Sequence, residues 1–170
     1  MDRGLGRVVD AVARKENTVV WCWSVADWKL RRDPWPGRER VVGKGLWGAY
    51  TLGAAVQLAP NLCAALKLMR TSRMPVWEWN NPHGLAWVTY ALAHESVHVA
   101  GYGSERKATC WGLQWVERTA RKLGRTAKEG RYLAKLAWKL WYPTSRPTYK
   151  SPECRDGGRL DLHPKSHIWP

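Results

Sequence analysis

Phenylalanine is absent from this 170-residue chain, and its aromatic side chains are instead 13 Trp and 6 Tyr. Each of these rings carries an N–H or O–H group that needs a hydrogen-bond partner when it is buried. Aromatic packing in the core therefore has to use rings that carry a polar group. We expect many of the Trp side chains to lie half buried at the edge of the core or along a cleft.

Long apolar runs are also missing. No stretch approaches the ~20 apolar residues that span a membrane, and residues 1–20 are charged throughout, without the apolar region of a secretion signal. The sequence therefore predicts a cytoplasmic protein, with secretion as the alternative if a signal precedes the printed start. The length fits one domain, 1–170, in which 1–17 form a short helix or a loose arm and 142–170 an irregular tail.

No Cys-x-x-Cys pair occurs, which argues against a zinc site built from cysteines. In a cytoplasmic chain we expect free thiols at the four widely spaced cysteines, with Cys63 and Cys110 buried on apolar helix faces. The even count also permits two disulfides in one of three pairings. A bridge from Cys110 to Cys154, which would hold the tail against a helix, is one alternative.

Acidic residues are scarce, with 14 Asp and Glu against 28 Lys and Arg, so the formal charge is +14. Such a balance favours anionic partners but says nothing about the fold. Much of the excess lies in segment 117–141, which we interpret as a solvated helix face, with a site for nucleic acid or another polyanion as the alternative. Its basic residues are Arg118, Arg121, Lys122, Arg125, Lys128, Arg131, Lys135 and Lys139.

The order of local patterns predicts an α+β fold with a short sheet in the first half and helices in the second. The β-branched and aromatic run 17–28 predicts a strand, and 50–58 a second strand or hairpin. Between them, 31–40 carries Pro and Gly and predicts a loop. Pro60 is expected to begin a helix that continues to about 70.

Asn81 and Pro82 are typical of the first residues of a helix, and apolar residues recur after them at steps of three and four. Gly101 is expected to end this helix, and Ser104 to cap the next. The helices predicted for the second half run from Pro82 to about 100, from Glu105 to about 122, and from beyond Gly124 to about Trp141.

The sequence HESVH, residues 94–98, lies in the interior of the first of these helices. Residues four apart share one helix face, so the imidazoles of His94 and His98 can hold one metal ion from the same side. Glu95 then lies beside the ion, where it can act as the general base on water. The pattern predicts a Zn²⁺ site with hydrolytic chemistry.

A catalytic zinc site needs a third protein ligand. Glu105 is the best candidate, because the turn at Gly101 reverses the chain and brings its carboxylate towards the imidazoles if the two helices pack antiparallel. Ser104 is also close, but a hydroxyl is a poor zinc ligand. His163 and His167, in the tail, remain outside candidates.

The run HESVHVAGYGSERKATCWGLQ resembles small bacterial zincin-like metallopeptidases with the pattern HExxHxxGxxxE. The resemblance continues more weakly in VQLAPNLCAAL and YKSPECRDGGRLDLHP, and covers about half of the chain. It implies a small zincin-like domain in which His94, His98 and Glu105 bind zinc and Glu95 is the base. Ser104 replaces the last His of the metzincin pattern, and the glutamate ligand of gluzincins usually lies much farther along the chain.

Two supporting roles are less determined. Hydrolysis needs a hydrogen-bond donor to the oxyanion of the transition state. Tyr102 is our candidate, and its plain interpretation is an ordinary turn residue. The alternatives are Tyr142, Tyr149 and His167. Asp161 is our candidate for orienting a histidine, and a turn aspartate is its plain interpretation. Gln114 and Tyr90 are expected only to pack.

Two functions are therefore open. The first is a zinc-dependent hydrolase acting on a peptide or protein, in which an edge of the strand in 17–28 pairs with an extended peptide beside His94. The second is a basic, Trp-rich binding module on the same fold, which holds nucleic acid or an anionic polymer without catalysis. The intact general base Glu95 favours the hydrolase.

Overall fold

The computed structural model describes residues 1–30, 49–52, 55–166 and 169–170. Within these ranges the chain is largely helical with one small sheet, so the predicted α+β class is confirmed. The predicted loop 31–40 lies outside them. The elements are α1 (Arg3–Ala13), β1 (Val19–Cys22), α2 (Val25–Leu30), β2 (Ala49–Leu52), β3 (Ala55–Leu58), α3 (Pro60–Thr71), α4 (Pro82–Val99), α5 (Glu105–Lys122) and α6 (Ala127–Trp141), with short 3₁₀ turns at Val76–Glu78 and Pro147–Tyr149.

The sheet has the order β1-β3-β2, with β1 parallel and β2 antiparallel to β3. The strand pair predicted around 50–58 is confirmed. The strand predicted over 17–28 is wrong in its second half, which turns into α2. The cause is a helix cap at Ser24: Asp27 N–H donates to Ser24 Oγ at 3.1 Å, and the Ser24 hydroxyl donates to the Asp27 carboxylate at 2.6 Å.

Helix α4 is the centre of the molecule. It begins as predicted, with the Asn81 side chain accepting a hydrogen bond from Gly84 N–H and Pro82 in the first turn. It contacts α1, α3, α5, α6 and two strands, and is buried on most of its circumference. A helix in this position is held by its neighbours on all sides, so side chains along it are fixed in place.

Residues 1–17 are not a loose arm, because α1 packs on the core. Asp2 caps it by accepting from Leu5 N–H, and one face of the helix is fully buried. The buried face carries Leu5, Val9 and Val12. The other predicted helices also form, over bounds close to those expected. No helix in the described ranges is long and apolar enough to cross a membrane.

All four cysteines form disulfides, so the expectation of free thiols is wrong. Cys22 pairs with Cys63, joining the end of β1 to the first turn of α3. Cys110 pairs with Cys154, the bridge that the sequence offered as one alternative, and holds the tail against α5. The burial of Cys63 and Cys110 was expected correctly, but each lies beside a partner from a distant part of the chain.

The start of α6 supports a stability prediction. Glu129 and Thr126 form a capping box, and Glu129 also accepts from Val76 N–H and pairs with the buried Arg125 at 3.5 Å. Glu129→Ala removes the cap and leaves a buried guanidinium without its carboxylate. We expect it to lower the free energy of unfolding by about 3 kcal/mol, measured by urea denaturation.

Glu117→Ala is the matched control, because the pair of Glu117 with Arg131 is more exposed and should contribute less than about 1 kcal/mol. Burial would raise the pKa of Glu129, but hydrogen bonds from Thr126 and Val76 and the charge of Arg125 lower it below 4.5. The contribution of ionised Glu129 to the free energy of unfolding is therefore complete above pH 4.5 and is lost as the pH falls through the lowered pKa. Equal losses in both variants would contradict this account.

Candidate metal centre and cleft

The turn between α4 and α5 brings two distant helix faces together. Gly101, with φ of +102°, takes the left-handed conformation that ends α4. Helix α5 then runs back antiparallel, as predicted, so that Glu105 faces His98 and Gly112 faces His94. A Cβ at Gly112 would lie 2.9 Å from the His94 Cα, so this close approach of the helices requires glycine.

Three side chains meet across this helix pair. The Nε2 atoms of His94 and His98 are 3.1 Å apart. The carboxylate of Glu105 lies 3.1 Å from His94 Nε2 and 3.6 Å from His98 Nε2. Among the described residues these three form a cluster of ligand types that can hold a metal ion. The structure thus brings together the three residues that the sequence predicted to be metal ligands.

The spacing of these atoms fits zinc. Bonds of about 2.0–2.1 Å in a tetrahedral arrangement separate neighbouring ligand atoms by about 3.3 Å. The two histidine Nε2 atoms are 3.1 Å apart, and His94 Nε2 is 3.1 Å from Glu105 Oε2, both close to this value, whereas His98 Nε2 lies 3.6 Å from the other carboxylate oxygen, Oε1. Two imidazole nitrogens and one carboxylate also match the donor set of catalytic zinc sites, in which the fourth position is left open.

Each histidine is oriented through its other ring nitrogen. Nδ1 of His98 lies 2.8 Å from the carbonyl oxygen of Tyr102, which only accepts, so the proton belongs on Nδ1 and leaves Nε2 as a ligand. Nδ1 of His94 lies 3.4 Å from the hydroxyl of Tyr90, one helical turn earlier. Tyr90 therefore does more than pack, contrary to our expectation.

Glu95 lies beside the cluster on the same cleft. Its side chain is buried, and Oε2 accepts a hydrogen bond of 2.7 Å from the hydroxyl of Thr51 on β2. Burial raises the pKa of Glu95, against the charges of His94 and His98 and the bond from Thr51. The hydrogen bond fixes one carboxylate oxygen and leaves the other for a substrate or water molecule.

The electrostatics of Glu105 differ from those of Glu95. Hydrogen bonds with His94 and His98 lower the pKa of Glu105 to about 2. The contact with Glu105 also raises the pKa of His98, against burial. Glu105 is therefore an anion at neutral pH, which is the state that binds a cation.

A cleft runs past both glutamates. Ala49 and Thr51 of β2 form one wall at the metal cluster, and Tyr149 from the tail lies over it. The ring of Tyr149 is 6.3 Å from that of His94, centre to centre. Burial and the nearby charge of Glu105 raise the pKa of Tyr149, so its hydroxyl stays protonated at neutral pH.

Two predicted roles fall on residues that have other contacts. Tyr102 is 41% exposed, and its ring lies edge-on against Trp111, at 4.6 Å, away from the cleft lining. Its contribution to the site is its carbonyl oxygen. Asp161 contacts no histidine ring within the described part of the chain: its carboxylate accepts from the backbone N–H groups of Gly157 and His163. Asp161 is the turn aspartate of the plain interpretation.

The remaining candidates are also separated from the site. Tyr142 donates to the carbonyl of Ser151 at 2.8 Å and stacks on Trp138, which pins the tail. His163 is exposed and is not part of the metal cluster. His167 lies outside the described residues. Gln114, expected to pack, binds the tail through the backbone of Leu160 and Leu162.

The contact of Tyr90 with His94 supports a prediction. Tyr90→Phe keeps the ring and its packing but removes the group that orients the imidazole. We expect zinc affinity to fall about tenfold, the range found when such outer contacts are removed. Competition with a chelating indicator measures it. The control is Tyr132→Phe, on α6, and equal affinities for the Tyr90 variant and the control would contradict the orienting role.

None of the family models, curated proteins or solved structures compared with the chain matches it. The assignment of the site therefore rests on the sequence and the structure of this chain.

Proposed function

We propose that this chain is a zinc-dependent hydrolase with a zincin-like site, and that its substrates are peptides or proteins. The observation that carries the proposal is the convergence of His94, His98 and Glu105 on one point. The contacts between their side-chain nitrogen and oxygen atoms are 3.1–3.6 Å long. Glu95 lies beside that point on an open cleft. A site that served stability alone would not need Glu95, a buried acid beside the three candidate ligands.

The chemistry divides between the ion and the chain. Zn²⁺ in this position would polarise a carbonyl group and make water acidic enough to attack near neutral pH. Glu95 takes a proton from the attacking water and returns it to the leaving amine. The bond from Thr51 holds the Glu95 carboxylate in one orientation during both transfers.

Tyr149 is the donor that we assign to the oxyanion. It lines the same cleft as His94 and Glu95, and its raised pKa keeps the phenol protonated. A hydroxyl fixed near the reacting carbonyl stabilises the negative charge that develops there. This assignment replaces Tyr102, whose side chain lies against α5.

The edge of the sheet offers a place for an extended peptide. Among the described strands β2 is an outer one, and it carries Thr51, which contacts Glu95. A peptide that paired with β2 would lie along the cleft. The sequence predicts this role for the strand in 17–28, but β1 lies on the opposite side of β3 from Thr51.

Zinc-dependent cleavage of peptides is the test. Tag-free protein is loaded with zinc and incubated with a mixed peptide library, and products are identified by mass spectrometry. We expect cleavage that stops with dipicolinate and returns when zinc is added. Cleavage that continues in the presence of dipicolinate, or the absence of cleavage by zinc-loaded protein, would contradict the proposal.

The disulfides lead us to propose an oxidising compartment rather than the expected cytoplasm. Two bridges between distant segments are typical of proteins that act outside a reducing environment. Alkylation of the protein as isolated from its native source, followed by intact mass measurement, should show no modified cysteine. Four modified thiols would return the proposal to the cytoplasm.

A second candidate function, polyanion binding, rests on one face of α6. Four exposed basic residues follow one another at steps of three and four along the helix. Lys128 also lies over the exposed ring of Trp77, 5.0 Å from its centre. Arg131 pairs with Glu117 at 3.5 Å but stays exposed, whereas Arg125 and Arg118 bind backbone carbonyls and are not available. The face consists of Lys128, Arg131, Lys135 and Lys139.

Salt dependence distinguishes this surface from net charge. Replacing both Lys135 and Lys139 by Gln should reduce the slope of log K against log salt concentration by about 1.4 for a single-stranded oligonucleotide. The control replaces Lys15 and Lys165 by Gln, which changes the net charge equally at other exposed positions. Equal effects of the two double variants would rule out a dedicated site.

A further inference from the structure

The cleft continues beyond the metal cluster into a second compartment of about 760 Å³. His94, Glu95, Ala49 and Tyr149 line both parts, so a molecule in this compartment reaches the proposed reaction centre. We call it the aromatic compartment. Its other walls are formed by Trp87, Tyr90, Ala91 and Trp141, with Thr144, Ser145 and Arg146 at one side.

Three neighbouring aromatic rings line this compartment. The ring centre of Trp87 is 5.0 Å from that of Trp141 and 5.6 Å from that of Tyr90. Both tryptophans are partly buried and are fixed against the core. Flat, rigid surfaces of this kind bind an aromatic or large apolar side chain at little entropic cost.

One cation stands beside these rings. Arg146 is exposed and makes no ion pair within the part of the chain that the structure describes. It immediately precedes the 3₁₀ turn that ends at Tyr149, and its charge acts on the Tyr149 hydroxyl. Among the described residues that line this compartment, Arg146 is the one arginine or lysine. Its guanidinium therefore complements an anionic group on the ligand.

We propose that the aromatic compartment takes the C-terminal residue of a peptide, with an aromatic or large apolar side chain against Trp87 and Trp141 and the free carboxylate at Arg146. This rests on the proposed function, and it narrows the reaction to removal of that residue. Water supplies hydroxide to the carbonyl carbon and a proton to the departing nitrogen, the C–N bond breaks, and a free amino acid is released.

Binding of short ligands tests the compartment without requiring turnover. The probes are N-acetyl-L-phenylalanine, its C-terminal amide and N-acetyl-L-alanine, measured by calorimetry on the full chain with and without zinc. We expect the phenylalanine acid to bind at least about tenfold more tightly than its amide, since a charge-assisted pair is lost in the amide. The alanine acid should also bind at least about tenfold more weakly.

The variants are Arg146→Gln and, as matched control, Arg73→Gln, another exposed arginine. The first should remove the preference for the acid over the amide, and the second should keep it. Equal binding of acid and amide by the wild type, or an unchanged preference in Arg146→Gln, would overturn the inference. If the inference fails in this way but the protein cleaves internal peptide bonds with zinc, the proposed function is still supported. If the compartment prefers the acid but the protein shows no zinc-dependent hydrolysis, the binding site is supported and the proposed reaction is contradicted.

Discussion

Glu95→Gln should lower kcat for peptide hydrolysis by about 10²–10⁴-fold and leave zinc bound, because an amide cannot take a proton from water. The substitution preserves size and keeps an oxygen that can accept the bond from Thr51. It also removes a buried carboxyl group rather than adding one, so the fold should be retained. The measurement pairs steady-state kinetics with the zinc content of the same sample.

The control for this prediction is Glu78→Gln, an exposed glutamate on the 3₁₀ turn before α4. It should leave both kcat and zinc content unchanged. Loss of zinc in Glu95→Gln would instead show that Glu95 is a ligand or a structural support. Full activity in Glu95→Gln would remove it from the reaction.

His98→Ala should weaken zinc binding by about 10³-fold or more. His98 supplies one of three donor atoms, and the loss of one ligand forfeits a large share of a binding free energy that runs to about 10–16 kcal/mol in structural sites. Glu105→Ala should have a smaller effect, about 10²-fold, since water can take the place of a carboxylate that is 44% exposed. Competition titration with a chelator of known affinity measures both.

His163→Ala is the matched control, because the sequence made His163 a candidate ligand and the structure places it on the surface. It should bind zinc as the wild type does. A loss of zinc in His163→Ala, with normal binding by His98→Ala, would move the site to the tail and contradict the arrangement of His94, His98 and Glu105.

The proximity of His94, His98 and Glu105 could be predicted because the information is local. Helical spacing places His94 and His98 on one face, and a short turn with glycine returns the chain to Glu105. Caps at Asn81 and Thr126 likewise mark helix starts in the sequence. The cap at Ser24 is equally local, and the prediction of a strand over 17–28 was wrong because β propensity was given more weight than this cap.

The contacts that complete the site are of two kinds. Tyr90 was within reach of sequence reasoning, because it precedes His94 by four residues and shares its helix face. Thr51 was not, since it lies 44 residues before Glu95 and only the packing of β2 on α4 joins them. Tyr149 stood among several tyrosines that the sequence could not rank.

The tail shows the same limit. Its composition predicts irregular structure, and the described part of the tail has one short 3₁₀ turn and otherwise turns, bends and unassigned backbone. The disulfide of Cys110 with Cys154 and the bonds from Gln114 to Leu160 and Leu162 hold it in place. These long-range bonds set the position of Tyr149, and no periodic pattern in the sequence encodes them.

Zinc stoichiometry tests the central claim most directly. Tag-free protein purified with zinc present, then dialysed against metal-free buffer, is analysed by elemental mass spectrometry against protein concentration. We predict one zinc per chain, retained through dialysis. Protein that retains no zinc would contradict the proposed site, and the convergence of His94, His98 and Glu105 would then be a hydrogen-bonded cluster without a metal.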